Sequence, residues 1–185
     1  MFSADPRFTY ASATKNDFVM VDDPDGLMDL DAAKVRELAG AAGTDGVIRV
    51  VRTSAMPEHW GEDAPEWFMD YRNSDGSVAQ MCGNGVRAFA AMLRERGYVS
   101  GDRCAVMTRA GVRSVDVLSA GPDWRVRVGM GPAELSDAGR VVEIGGRRLP
   151  GIDVNVGNPH VVVQLPSDMD VDSLDLTVRP TLDPE

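Results

Sequence analysis

Apolar and polar positions along "FTYASATKNDFVMVDD" predict a β-strand, a polar loop over Ala13 to Asp17 and a second strand from Phe18 to Val21, with Pro24, Asp25 and Gly26 closing a turn. "DLDAAKVRELAGAAG" changes the period. Ala32, Val35, Leu38 and Ala39 recur at helical spacing, Asp29 or Asp31 stands where an N-cap belongs, and Gly43 is the stop. "VIRVVRT" and "EWFMDYRN" then read as strands, and the intervening "SAMPEHWGEDAP", with two prolines and several acids, as an exposed connection.

The longest helical pattern is "MCGNGVRAFAAMLRERGYV". Val86, Ala88, Phe89, Ala90, Ala91, Met92 and Leu93 leave its first three turns little polar face, so other elements must cover most of it. Arg94, Glu95 and Arg96 mark its surface end, and Gly97 is the expected C-terminal cap. "RCAVMTRAG", "VRSVDVLS" and "WRVRVGMG" follow as an antiparallel meander with Gly-containing turns. A second set of strands runs through "RVVEIGGRRLPGIDVNVGNPHVVVQL" and into "SLDLTVRPTLDPE". Strands that open a sheet with nothing downstream to close it leave unpaired edges, so the second domain reads as incomplete.

With 185 residues, 43% of them hydrophobic, the chain is long enough to bury a core. A net charge of −10 and an isoelectric point near 4.6, with Lys and Arg scattered, disfavour nucleic acid as a partner. No apolar run reaches the roughly 18 residues that span a bilayer, and "MFSADPRFTY" lacks the features of a signal peptide. These point to a cytoplasmic protein with no membrane partner. Cys82 and Cys104 are too few for a disulfide framework, and their spacing to His59 and His160 matches no zinc pattern. Phosphate-loop, dinucleotide and pyridoxal signatures are missing too, so the expected chemistry uses side chains alone, with no metal and no cofactor.

The candidate chemistry sits where Cys82 meets the start of the buried helix. Unpaired N–H groups there carry about half a positive charge and favour a thiolate. A contribution of up to about 2 kcal/mol, against about 1.4 kcal/mol per pKa unit, brings a thiol from about 8.5 to roughly 7. Gly83 and Gly85 clear the approach to the backbone, so the amides of Gly83, Asn84 and Gly85 are placed to hold a carboxylate. The bland alternative stays open on pattern alone: Cys82 as a small buried hydrophobe and the glycines as a turn. Asn158 and His160 in "GNPH" likewise read either as turn residues or as site residues.

"NSDGSVAQMCGNGVRAFA" resembles the first catalytic-cysteine segment of the diaminopimelate epimerase family. "NDFVMVDD", "GTDGVIRV", "TRAGVR" and "VNVGNPHVVV" resemble its other segments, in the same order. The resemblance implies an α+β fold in which an antiparallel or mixed sheet wraps a central buried helix. It implies a first domain over 1–128, and over 129–185 the start of a second, similar domain. It also implies a cofactor-independent isomerase that interconverts LL- and meso-diaminopimelate for lysine and peptidoglycan precursors, homodimeric at full length. Carried over, Cys82 matches one of two proton-exchanging thiols and His160 a histidine near the thiol pair. Asn16, Asn73 and Asn158 match asparagines that grip the substrate, and Gly83 with Asn84 the backbone that holds its α-carboxylate. Proline and hydroxyproline racemases, the alternative, typically place a histidine at the position of Asn84; a non-catalytic fragment that keeps the fold for binding or assembly is the other alternative.

Inversion at an α-carbon needs a base on one face and an acid on the other, which two thiols supply. The sequence departs from the family in three places. "SATK" before Asn16 lacks the usual glycines, and Gly46 stands where several members carry a side-chain contact to substrate. Nothing in Val161 to Glu185 resembles the family's second cysteine segment. Cys104 reads as a buried strand cysteine rather than a substitute, so this polypeptide by itself is expected to be weakly active or inactive.

Overall fold

The computed structural model describes residues 7–58 and 60–183, and of Asp137 and Ala138 the backbone alone. His59, set aside above as a zinc ligand, and the opening residues 1–6 lie outside the described residues. The chain divides into two compact units, Met1–Met130 and Gly131–Glu185. No helix among the described residues is long and apolar enough to cross a membrane.

Seven strands build the first unit in sequence order: β1 (Phe8–Ala13), β2 (Asn16–Asp22), β3 (Gly46–Arg52), β4 (Trp67–Asn73), β5 (Arg103–Thr108), β6 (Gly111–Ser119) and β7 (Arg125–Val128). The sheet is mixed, with parallel pairs at β2/β3 and β4/β5 and antiparallel pairs elsewhere. Two helices cover it, α1 (Ala32–Ala42) and α2 (Gly83–Glu95). Asp31 rather than Asp29 caps α1, its carboxylate accepting from the Lys34 amide at 2.7 Å, and Gly43 ends the helix at φ 65°.

Period-2 alternation assigns each strand residue to a face. Phe18 and Met20, Ile48 and Val50, and Trp67, Met69 and Tyr71 point toward α2, where they meet Val86, Phe89 and Leu93. Val19, Val21 and Val47 point the other way, onto Val35, Leu38 and Ala39 of α1. Strands from both edges of the sheet, β1 and β7, touch α2, so the sheet curls around it. Val86, Phe89 and Leu93 are fully buried, and each such side chain contributes about 1.5–3 kcal/mol.

α2 lies along β2 and is fastened to it at both ends. At its far end Tyr98 donates to Asp22 at 2.9 Å and Arg96 pairs with the same carboxylate at 3.2 Å. At its near end Asn84 donates to Asn16 at 2.8 Å. The lengths match: a 7-residue strand and a 13-residue helix each span about 20 Å.

Three expectations need correction. The loop expected over Ala13 to Asp17 is only Thr14 and Lys15, both at positive φ (52° and 64°), because a two-residue turn of that hand matches the twist of the β1/β2 hairpin. The connection expected to be exposed buries Met56 against Val51, Phe68 and Met107, and Trp60 tilts onto Phe68 at 5.4 Å. Apolar side chains within a proline-rich loop follow the nearest apolar surface rather than the loop's composition. Finally, Arg96 is the C-cap of α2, and Gly97 one residue later, at φ 72°, lets Tyr98 N–H reach the Leu93 carbonyl.

The second unit is a four-stranded antiparallel sheet formed by β8 (Glu134–Ile144), β9 (Arg147–Asn155), β10 (Pro159–Val163) and β11 (Thr181–Asp183), in the order β10-β9-β8-β11. One face carries an apolar groove of about 900 Å³ that includes Leu135, Val142, Val161 and Leu182.

Candidate active site

Cys82 is the N-cap of α2, with extended backbone (φ −139°, ψ 115°). Its Sγ accepts from the Gly85 amide at 3.4 Å, and its carbonyl accepts the first helical bond from Val86 at 2.9 Å. The sulfur thus takes the place usually held by a Ser or Asp oxygen. Gly85 is not open to a ligand, contrary to the reading of the two glycines as a pair. It is buried, its N–H serves the sulfur, and an added Cβ would lie 3.0 Å from Ile48 Cδ1 on the sheet. Its missing side chain lets the helix start sit close to β3. The amides of Gly83 and Asn84 have no acceptor among the described residues, and they form the helix's open end.

Asn16 opens β2 and Asn84 is the second residue of α2, and the curl of the sheet brings them together across 68 positions of sequence. Asn73 ends β4, and its side chain donates to Ser77 Oγ at 3.0 Å, closing the Asn73–Ser77 turn. Gly76 has to be glycine there: it sits at φ 88°, and a Cβ would fall 2.6 Å from the Ala32 carbonyl oxygen of α1.

Asn158 and His160 belong to the second unit. The Asn158 carbonyl accepts from Val156 in the β9–β10 turn, and His160 is an exposed residue of β10 opposite Val154, lining the apolar groove. Cys104 lies in β5 and packs against the α2 core; burial pushes its thiol up.

Four further residues enter the site without having been anticipated. Asp45 accepts from Asn16 Nδ2 at 3.1 Å and from the Asp17 amide at 2.8 Å. Arg87 donates to Asn84 Oδ1. Ser77 holds Asn73. Tyr71, on the inner face of β4, is close enough to Cys82 for a thiolate charge there to bear on its phenol, which burial first and that charge second push up to about 12. Arg87 had a legible signal, since positions 84 and 87 share a helix face. Ser77 had one as well, standing four residues after Asn73 across a Gly-containing turn. Asp45 and Tyr71 had none, because the β2/β3/β4 register brings them in.

A family model described as diaminopimelate epimerase matches residues 8–136. A diaminopimelate epimerase of Thermobifida fusca is 46% identical over 184 residues, covering 95% of this chain and 65% of that protein. One of Streptomyces coelicolor is 48% identical over 159 residues, covering 84% and 54%. The chain therefore spans between about half and two thirds of the length of these curated relatives. Among solved structures, a Bacillus anthracis phenazine biosynthesis protein of the PhzF family aligns with a TM-score of 0.54 at 20% identity, over 84% of this chain and 53% of that one. A probable proline racemase from Agrobacterium radiobacter aligns with a TM-score of 0.56 at 14% identity, over 84% and 51%. At such identities the likeness is one of fold.

Proposed function

The chain belongs to the diaminopimelate epimerase family, and from that premise we propose that it carries one of the two proton-transfer hands of a cofactor-independent epimerase interconverting LL- and meso-diaminopimelate. The observation that carries the reading is Cys82 as the N-cap of a buried helix, its sulfur held by the Gly85 amide and flanked by the amides of Gly83 and Asn84.

In this reading the Cys82 thiolate removes the α-proton from one face, or its thiol returns a proton to that face in the reverse direction. The Gly83 and Asn84 amides receive the α-carboxylate, where negative charge grows as the proton leaves. A second thiol serves the opposite face. Cys104 is not that group, because it is held in β5 against the α2 core. By the family resemblance, Asn16 and Asn73 are substrate-binding residues of the first unit, and of the second unit Asn158 is substrate-binding and His160 catalytic. First and second domains divide at about residue 128, and the enzyme works as a homodimer in the reducing cytoplasm, where Cys82 stays a thiol.

Alkylation of the two cysteines by iodoacetamide tests this. Cys82 is expected to react faster than Cys104 near neutral pH, since burial makes the Cys104 thiolate scarcer. Diaminopimelate is expected to slow labelling of Cys82, and proline is not, because a site built to bond a distal polar end rejects a ligand without one by factors of about 10⁴. Equal protection by proline, or none by diaminopimelate, counts against the reading.

A further inference from the structure

Asn16 and Asn84, which the epimerase reading assigns to substrate recognition, are bonded to each other, and the pair ends in opposite charges. Arg87 donates to Asn84 Oδ1, Asn84 Nδ2 donates to Asn16 Oδ1 at 2.8 Å, and Asn16 Nδ2 donates to Asp45 Oδ2 at 3.1 Å. A guanidinium only donates and an ionised carboxylate only accepts. A chain of amides strung between them therefore has one direction. Turning either amide over would set an NH₂ against Arg87 or an oxygen against Asp45, and would break the central bond as well.

Both ends are anchored. Arg87 lies three residues after Asn84 on the same helix face. Asp45 is fixed through its backbone, which donates to the Asp17 carbonyl at 2.9 Å and accepts from Ser74 at 3.0 Å, and through its carboxylate, which accepts from the Asp17 amide. The Ser74 bond also ties this end to the turn that carries Asn73.

We propose that Arg87 and Asp45 are positioning residues of the Cys82 site, holding the side-chain amides of Asn16 and Asn84 in one orientation. Each amide then keeps one unused Nδ2 hydrogen, so the pair faces the site as donors suited to a carboxylate. The substrate half of this statement rests on the epimerase reading; the orientation of the two amides does not.

The test separates the two halves. In the ¹⁵N-labelled chain, the side-chain NH₂ signals of Asn16 and Asn84 are assigned by their loss in Asn16→Asp and Asn84→Asp. Arg87→Met and Asp45→Ala are each expected to move both signals and to speed their solvent exchange on the order of tenfold, as when a hydrogen bond to a charged group is lost. Arg87→Lys, which keeps a donor, is expected to restore part of the protection. The concentration of meso-diaminopimelate that half-protects Cys82 from alkylation should rise by about tenfold in the Met and Ala variants. An Asn16 signal indifferent to Arg87→Met overturns the relay. Should Arg87→Met fail to fold, Asp45→Asn, which replaces the acceptor-only end by an amide that can donate or accept, carries the comparison, and an unmoved Asn84 signal there overturns the relay equally. If the amides respond as expected but diaminopimelate protects Cys82 in no protein, unaltered chain included, the relay stands and the epimerase reading falls.

Discussion

Tyr71 projects from β4 onto the inner face of the sheet, 8% exposed, its ring edge-on to Phe18 at 5.9 Å. Burial is the largest reason its phenol resists ionisation, and charge at Cys82, Asp45 and Asp75 adds to it; together they push the group from 10.0 up to about 12. The hydroxyl therefore stays a neutral donor beside Cys82 throughout the range in which a thiol titrates. The consequence for stability has a definite sign. Between about pH 10 and 12 the unfolded phenol is ionised while the folded one is not, so stability is present below that window and is lost as pH rises through it. An ultraviolet titration of the protein against Tyr71→Phe is expected to isolate one phenol ionising at about 12. In denaturation experiments the Phe variant should lose less stability across the same window.

At the scale of elements, the close approach of β3 and β4 decides what the site can contain. Gly46 pairs with Asn73, and a Cβ there would meet the Arg72 carbonyl oxygen and come within 2.8 Å of Tyr71 Cε2. The oxygen belongs to the sheet backbone and cannot move aside. Gly46→Ala is thus expected to destabilise the protein by about 1–3 kcal/mol, the usual cost of overpacking, measured as a lower urea midpoint. Perturbed Tyr71 ionisation in the same variant would locate the strain. The glycine that looked like a missing substrate contact is where the phenol ring lies. Helix α2 was far more legible: its apolar positions, its Cys82 start and its surface end are local in sequence. Its fastening to β2 through Asn84–Asn16 and Tyr98–Asp22 was not, because those contacts join residues 68 and 76 positions apart.

Across the first unit as a whole, the outer face of the sheet encloses a cluster of charge. Asp70, with no exposure, accepts from Arg49 at 2.7 Å, Arg72 at 3.0 Å and Arg109 at 2.7 Å, and Arg49 also faces Asp23 at 3.6 Å. These groups join β3, β4, the β5–β6 turn and the segment after β2 into one body. Burial alone would raise the Asp70 carboxyl, but the arginines outweigh it and hold it below the ordinary carboxylate range. A depressed carboxyl stabilises the fold above its unfolded pKa of about 3.9, and that stability is lost as pH falls through the folded value. Asp70→Asn leaves three guanidinium groups without their shared anion. It is expected to cost about 3–5 kcal/mol at neutral pH and to flatten the acid limb of a plot of urea stability against pH; an unchanged acid limb would mean that other carboxylates govern it.

What the amino-acid sequence determined by itself is what depends on neighbours along the chain: the β1/β2 hairpin, α1 with an aspartate at its start and its Gly43 stop, α2, the β5–β6–β7 meander, and a thiol at a helix start. Periodicity and capping act over a few residues and leave their mark there. The tertiary structure alone decided which side chains meet. The strand order and register set Asp70 opposite Arg49, laid Tyr71 over Gly46 and put Met56 in the core. The curl of the sheet around α2 brought Asn16 to Asn84, and with them Arg87 and Asp45, into one polarised chain. A polar residue records in the sequence only that it is polar. The partner that gives its donors and acceptors a direction comes from across the fold.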